Sequence, residues 1–233
     1  MLGLVLGTLR LPLIVLVTGS PLAAAGTNIA ISAAAAGAGG LKHAREGRVD
    51  WRVVGWTAPP SVAGAIAGAL LADDVFPEAL LYGLIAGVLV WSGFDLAFRP
   101  VAAHPREHLR VGRGGALAFV IGVLGGAAGV ILGTLRMPAL VRSVGLDVRR
   151  AAGTNLVVGF LLGAAGFATY AASTGIDWDV LAAGLAGAIP GGWLGARATG
   201  KLPESVLRLA LGAVLVLVGA VFAAQALTTE AIL

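Results

Sequence analysis

Two arginines stand where a charge is costly. Arg10 lies in Gly3-Leu-Val-Leu-Gly-Thr-Leu-Arg-Leu-Pro12 and Arg136 in Gly129-Val-Ile-Leu-Gly-Thr-Leu-Arg-Met-Pro138, one ten-residue pattern written twice at a spacing of 126 residues. Both sit in apolar runs, where a guanidinium costs about 2.5 kcal/mol or more unless it finds a partner. No evident carboxylate partner lies in those runs; Asp95 is the only acid inside a candidate span, near its end. A planar fork of five donors fits the oxygens of an oxyanion. The arginines, with Gly7, Thr8, Gly133 and Thr134 just before them, therefore form a candidate anion site. The same residues also fit a structural role, in which each arginine caps the carbonyls of a broken half-helix or snorkels to the surface.

A second pair of motifs accompanies the first. Ala25-Gly-Thr-Asn28 recurs as Ala152-Gly-Thr-Asn155 at an offset of 127. Each follows a turn or loop and is expected at a helix start. There Gly26 and Gly153 would admit a ligand closely. The helix N-H groups with Thr27, Asn28, Thr154 and Asn155 would then offer neutral donors to an anion. Plain N-capping by the same Thr and Asn residues is the alternative.

The elements that must position these groups are membrane helices. Of 233 residues, 58% are hydrophobic and 12% charged, and 36 are glycine, where a soluble domain carries about 25% charge. Mean hydropathy is +0.93. The net charge of +4 reflects basic loops and gives no reason to expect nucleic acid. The absence of cysteine excludes disulfides and thiol chemistry. No basic region followed by a cleavage site opens the chain, so no signal peptide is expected.

The apolar runs alternate with short loops. After Met1–Val17 and the turn 18–21 come spans at 22–41, 53–72 and 79–98, separated by a charged loop at 42–52 and an acidic turn at 73–78. A polar loop at 99–113 leads to an apolar stretch at 114–141, a basic loop at 142–150, and spans at 151–172, 180–196 and 205–227. Further landmarks repeat in the same order. Gly47-Arg-Val-Asp-Trp51 answers Gly175-Ile-Asp-Trp178, and Phe76-Pro-Glu78 answers Leu202-Pro-Glu204. The chain is thus a duplication, with a first repeat at 1–98, a linker loop at 99–113 and a second repeat at 114–233. Met1 aligns with Ala127, so the counterpart of residues 114–126 is not written in the first repeat; either its start lies upstream or one limb of its hairpin is lost. Asp50-Trp51 and Asp177-Trp178 are expected to start helices at the membrane interface. Pro59-Pro60 and Pro190 are expected to kink matched helices, and Gly64, Gly68, Gly191 and Gly195 to be packing positions.

Charge fixes the direction of insertion. Of the sixteen basic residues, fourteen lie in or beside the loops at 42–52, 99–113, 142–150 and 197–208; only Arg10 and Arg136 do not. If 114–141 crossed the membrane once, the fourteen would split eight against six. As one straight helix its 28 residues would span about 42 Å, against a hydrocarbon core of about 30 Å. If the stretch enters and returns, broken at Gly125-Gly126, Gly133 and Pro138, all fourteen lie on the cytoplasmic side. The expected fold is therefore an all-α polytopic membrane protein of two inverted repeats. Each repeat is a broken or re-entrant hairpin plus three transmembrane helices.

Taken together, the Arg-Pro motif, Ala-x-Gly-Thr-Asn, Gly-x-(Val/Ile)-Asp-Trp and Leu-Pro-Glu, twice over, resemble the TauE/SafE-type sulfite exporter family across nearly the whole chain. The chain departs from that family's usual glycine triplet at Val5-Leu6-Gly7 and Ile131-Leu132-Gly133, and has Asn28 and Asn155 where serine is frequent. The resemblance implies a bacterial or archaeal inner-membrane permease for sulfite, thiosulfate or an organosulfonate, working by alternating access at a midplane site. It leaves a homodimer open. The spans hold no central carboxylate or histidine, so any proton coupling would ride on the substrate's own titration. A passive anion channel and a non-transporting scaffold are the alternatives, and neither export nor uptake is written in these residues. His43, His104 and His108 are expected in polar loops without metal-ligand partners. No catalytic triad, P-loop or dinucleotide fingerprint appears, so neither an enzyme nor a cofactor is expected.

Overall fold

The structure is a computed structural model and describes residues 7, 10, 11, 13–15, 17–72, 78–98, 111–173, 176–199 and 203–230. Their regular structure is helical. The segment bearing Arg10 is helical where described. It is followed by α1 (Pro21–Arg45), α2 (Trp51–Leu70), α3 (Glu78–Phe98) and α4 (Val111–Ala127). Then come the short α5 (Gly133–Pro138), a π turn (Ala139–Ser143), α6 (Val148–Ser173), α7 (Trp178–Thr199) and α8 (Glu204–Glu230). Threonine 8, the acidic turn 73–77, the loop 99–110 with His104 and His108, and Lys201-Leu202 lie outside the described residues.

Local chemistry sets the helix starts. Ser20 caps α1, its Oγ accepting from Ala23 N at 3.3 Å, and Pro21 supplies a pre-set φ in the first turn. Asp50 caps α2 through Val53 N at 3.1 Å, and Asp177 accepts from Val180 N at 3.0 Å at the start of α7. Both aspartates therefore act as the sequence suggested, with Trp51 and Trp178 exposed beside them. At the start of α6, Asp147 Oδ1 accepts from Arg149 N and Arg150 N.

Several expectations shift. Because Ser20 and Asp147 start their helices early, α1 and α6 begin five residues before Gly26 and Gly153, and the Gly-Thr-Asn motifs fall in the second turn. The helix-end N-H groups are thus not at those positions. The charged loop expected from Lys42 shrinks, because α1 runs on to Arg45; His43 is not in a loop but fully buried. The break in the 114–141 stretch falls between Ala127 and Gly133, around Gly129 at φ +63°, and α4 continues through Gly125-Gly126. Pro59, Pro60 and Pro190 lie inside continuous helices.

Glycines set the packing. Gly64 and Gly68 on α2 face Gly122 and Gly126 on α4, so two Gly-x-x-x-Gly faces meet backbone to backbone. Gly192 lies on the backbone of Ala35, whereas a Cβ at Gly191 would meet nothing, so the packing role expected of Gly191 belongs to its neighbour. Gly26, near the start of α1, lies against Tyr170 and Ile176, and Gly153, near the start of α6, lies against His43 and Arg48. Helices α1 and α6, matched in the duplication, therefore run antiparallel. So do α3 and α8, which approach at Gly93 with Gly212 and at Val90 with Gly219. Helix α1 also packs on α7, and α6 on α2.

The outward surface is apolar. Trp56, Trp91, Phe94, Leu194 and Leu217 are all exposed, a surface suited to lipid and costly in water. Three helices, over Leu22–Arg45, Trp51–Leu70 and Val148–Ser173, are long and apolar enough to cross a membrane. An apolar groove of about 780 Å³ between α1, α6 and α7 is lined by Gly37, Leu41, Phe160, Ile189 and Trp193. It suits acyl chains and offers an anion little.

Candidate anion site

The two arginines and the two asparagines meet as pairs. Arg10 Nε donates to Asn28 Oδ1 at 3.1 Å, and its Nη2 donates to Asn28 Oδ1 at 2.9 Å, Asn28 O at 3.3 Å and Ser32 Oγ at 3.0 Å. In the second repeat Arg136 Nη1 donates to Asn155 Oδ1 at 3.1 Å. Each asparagine also donates from Nδ2 to a carbonyl of the broken 128–133 segment. Asn28 reaches Gly129 O at 2.9 Å, and Asn155 reaches Gly133 O at 2.7 Å. Asn28 thus ties the first repeat to the break in the second.

The threonines bind the repeats to each other. Thr27 Oγ1 accepts from Asp177 N at 3.1 Å, and Thr154 Oγ1 accepts from Asp50 N at 2.9 Å. The exchange is reciprocal, because each threonine serves the helix-capping aspartate of the other repeat. These hydroxyls are occupied as fasteners. Gly26 and Gly153, expected to admit a ligand, are filled from the facing helix, and a Cβ at Gly153 would collide with Arg48 O. Gly7 makes room for Ser32, whose Oγ would collide with a Cβ there. Gly133 opens α5 three residues before Arg136. The side chain of Thr134, like Thr8, lies outside the described residues.

The two arginines differ in what they leave open. Arg136 is 2% exposed, yet its Nε and Nη2 have no hydrogen-bond partner. Those two N-H groups form one edge of the guanidinium, the side-on fork that takes two oxygens at once. In Arg10 that same edge is filled by Asn28 and Ser32. Among the described residues the ion pairs are Glu46 with Lys42 at 2.7 Å and Glu46 with Arg48, so no carboxylate neutralises Arg136. Its sequence neighbours Leu132, Leu135, Met137 and Leu140 are themselves buried. Burial, and then the charge of Arg149, pull the Arg48 guanidinium below its ordinary value; this places the basic end of α1 beside the basic start of α6.

A model of the sulfite exporter TauE/SafE family matches residues 1–222. The chain belongs to that family. This TauE/SafE member is a membrane protein of a transporter family. It is similar to a probable membrane transporter protein, YdhB, of Bacillus subtilis (strain 168), at 28% identity over 81% of this chain and 79% of the relative. It is also similar to a probable membrane transporter protein of Xylella fastidiosa (strain 9a5c), at 30% identity over 80% of this chain and 74% of the relative. No solved structure matches the chain.

Sequence reasoning missed three residues that hold the scaffold around the arginines of this TauE/SafE member. Ser32 lies one turn beyond Asn28 on the same helix face, a spacing that could have flagged it. Asp147 carried a capping signal that the polar Gly-Thr-Asn motif overshadowed. Tyr170 Oη donates to Gly126 O at 2.8 Å and pins the end of α4; nothing near it in sequence signals that partner, 44 residues away.

Proposed function

We propose that this protein is a permease carrying a small sulfur oxyanion (sulfite, thiosulfate or an organosulfonate) by alternating access between two inverted repeats. One observation carries this reading: a buried arginine with a complete bidentate edge open and no carboxylate partner among the described residues. A buried unpaired guanidinium is unfavourable, and an oxyanion with two oxygens side by side supplies both the charge and the acceptors.

The insertion we infer follows the loops. The 42–52 loop and the start of α6, both basic, are neighbours, since Gly153 lies on Arg48 O. At the other end, Thr27 meets Asp177 and Gly26 meets Ile176, bringing together two loops in which the described residues carry no basic group. Basic ends together and non-basic ends together support one cytoplasmic and one external side of a bacterial or archaeal inner membrane. Antiparallel α1/α6 and α3/α8 pairs support halves, 1–98 and 114–233, inserted in opposite directions around the 99–113 loop. The reciprocal threonine bonds would then be contacts that break and re-form as the halves rock. Any proton would travel on the anion.

The test is anion-dependent thermal stabilisation of the purified protein in detergent. Sulfite, thiosulfate and a short alkylsulfonate are expected to raise the melting temperature. At a hundredfold excess over Kd the gain is about 2.7 kcal/mol. Chloride, which has no pair of oxygens for the fork, is expected to leave it unchanged, and nitrate to act weakly. Absence of response to every sulfur anion would overturn the substrate assignment.

A further inference from the structure

The duplication is imperfect at one position. At the 127-residue offset that relates Asn28 to Asn155, the counterpart of Ser32 is Gly159. We propose that Gly159 keeps the Arg136 fork open, so that the permease seats one anion per chain, at the second-repeat arginine, while Arg10 is a locked structural counterpart. This rests on the reading of Arg136 as an anion site and deepens it.

The geometry of the first repeat shows how the lock works. Ser32 lies four residues after Asn28, one turn along the same face of α1. Its Oγ is 1% exposed as a residue and accepts from Arg10 Nη2 at 3.0 Å. Asn28 Oδ1 takes Nε and shares Nη2. The fork of Arg10 is therefore spent on neutral protein oxygens. In the second repeat Asn155 holds Nη1 instead, and one turn along α6 there is only the hydrogen of buried Gly159. Nε and Nη2 stay buried and without a hydrogen-bond partner. An anionic oxygen there makes a charge-assisted bond stronger than a neutral hydroxyl could. A serine hydroxyl at 159 would supply an internal acceptor and compete with the anion for the same N-H groups.

Titration calorimetry with sulfite on the detergent-solubilised full chain tests this. Wild type is expected to bind one anion per chain. Gly159→Ser is expected to bind about tenfold more weakly, the loss of about one net hydrogen bond's worth of affinity. Gly159→Ala, which adds bulk without an acceptor, should stay within about threefold of wild type on the same scale. Gly159→Ser binding as tightly as wild type while Arg136→Met has lost binding would overturn this inference and leave the anion site standing. Arg136→Met binding as tightly as wild type would overturn the site itself. Should the Gly159 variants not fold, Ser32→Ala tests the same claim from the first repeat. It takes one oxygen away from Arg10 Nη2, leaves Asn28 on that fork and does not touch Arg136, so the affinity for the first anion should be unchanged. A tenfold gain there would place the anion on Arg10 and refute the assignment.

Discussion

Arg136→Met is expected to abolish sulfur-anion binding and to leave the protein as stable as wild type or more so. The two effects have one cause. A guanidinium buried in a membrane interior costs about 2.5–3.5 kcal/mol, and Arg136 recovers only its bond to Asn155. Methionine has similar length, suits a buried position among apolar neighbours in sequence, and removes the desolvation cost. What it leaves behind is one unpaired Asn155 oxygen, a penalty of about 1–3 kcal/mol. The balance lies near zero or on the side of greater stability. Binding loses two charge-assisted bonds of about 1.5–3 kcal/mol each, a hundredfold or more in affinity. Arg10→Met should do the opposite, because Arg10 returns bonds to Asn28 and Ser32 and its loss strands both acceptors. Thermal melts and sulfite titrations on the two variants check the pair. If Arg136→Met melted well below Arg10→Met, Arg136 would be structural.

The second large effect lies in packing. Gly68→Leu is expected to prevent recovery of folded protein, because even a Cβ at Gly68 collides with Val123 O of α4. The contact is backbone on backbone, so no side chain can move aside. Separating the helices would also undo Gly64, Gly122 and Gly126. Overpacking at one site already costs about 1–3 kcal/mol, and four coupled positions exceed that. Gly191→Leu is the control, since its Cβ direction is open. Yield of monodisperse protein by size-exclusion chromatography should fall for Gly68→Leu and hold for Gly191→Leu. Equal yields would show that α2 and α4 do not meet at this face.

How far the sequence reached depended on what each signal encodes. The duplicated Arg-Pro and Gly-Thr-Asn motifs named the residues that meet, because chemistry and repetition are both written in residue types. The break before Arg136 was legible from its length, though its place at Gly129 was not, since Gly125, Gly126 and Gly133 offered equal freedom. The helix-start role given to Gly-Thr-Asn failed because Ser20 and Asp147 cap earlier. A cap is decided by which oxygen reaches the first free N-H, and several polar residues competed for it. The partners of Thr27 and Thr154 were illegible, because a hydroxyl in sequence does not say which helix it will face. The charged neighbours of His43 point to a polar loop, yet it lies in α1 and turns inward where α1 meets α6. The difference between the two arginines lay in Ser32 and Gly159. That contrast shows only when the repeats are compared along a helix face, four residues past the motif.

The most direct measurement is a crystal of the full chain soaked with thiosulfate and examined for sulfur anomalous scattering. The expected result is one site per chain, with anion oxygens within about 3.2 Å of Nε and Nη2 of Arg136 and none on Arg10. Saturating thiosulfate that leaves the Arg136 fork empty, or appears only at the surface arginines of the loops, would contradict an anion seat between the repeats.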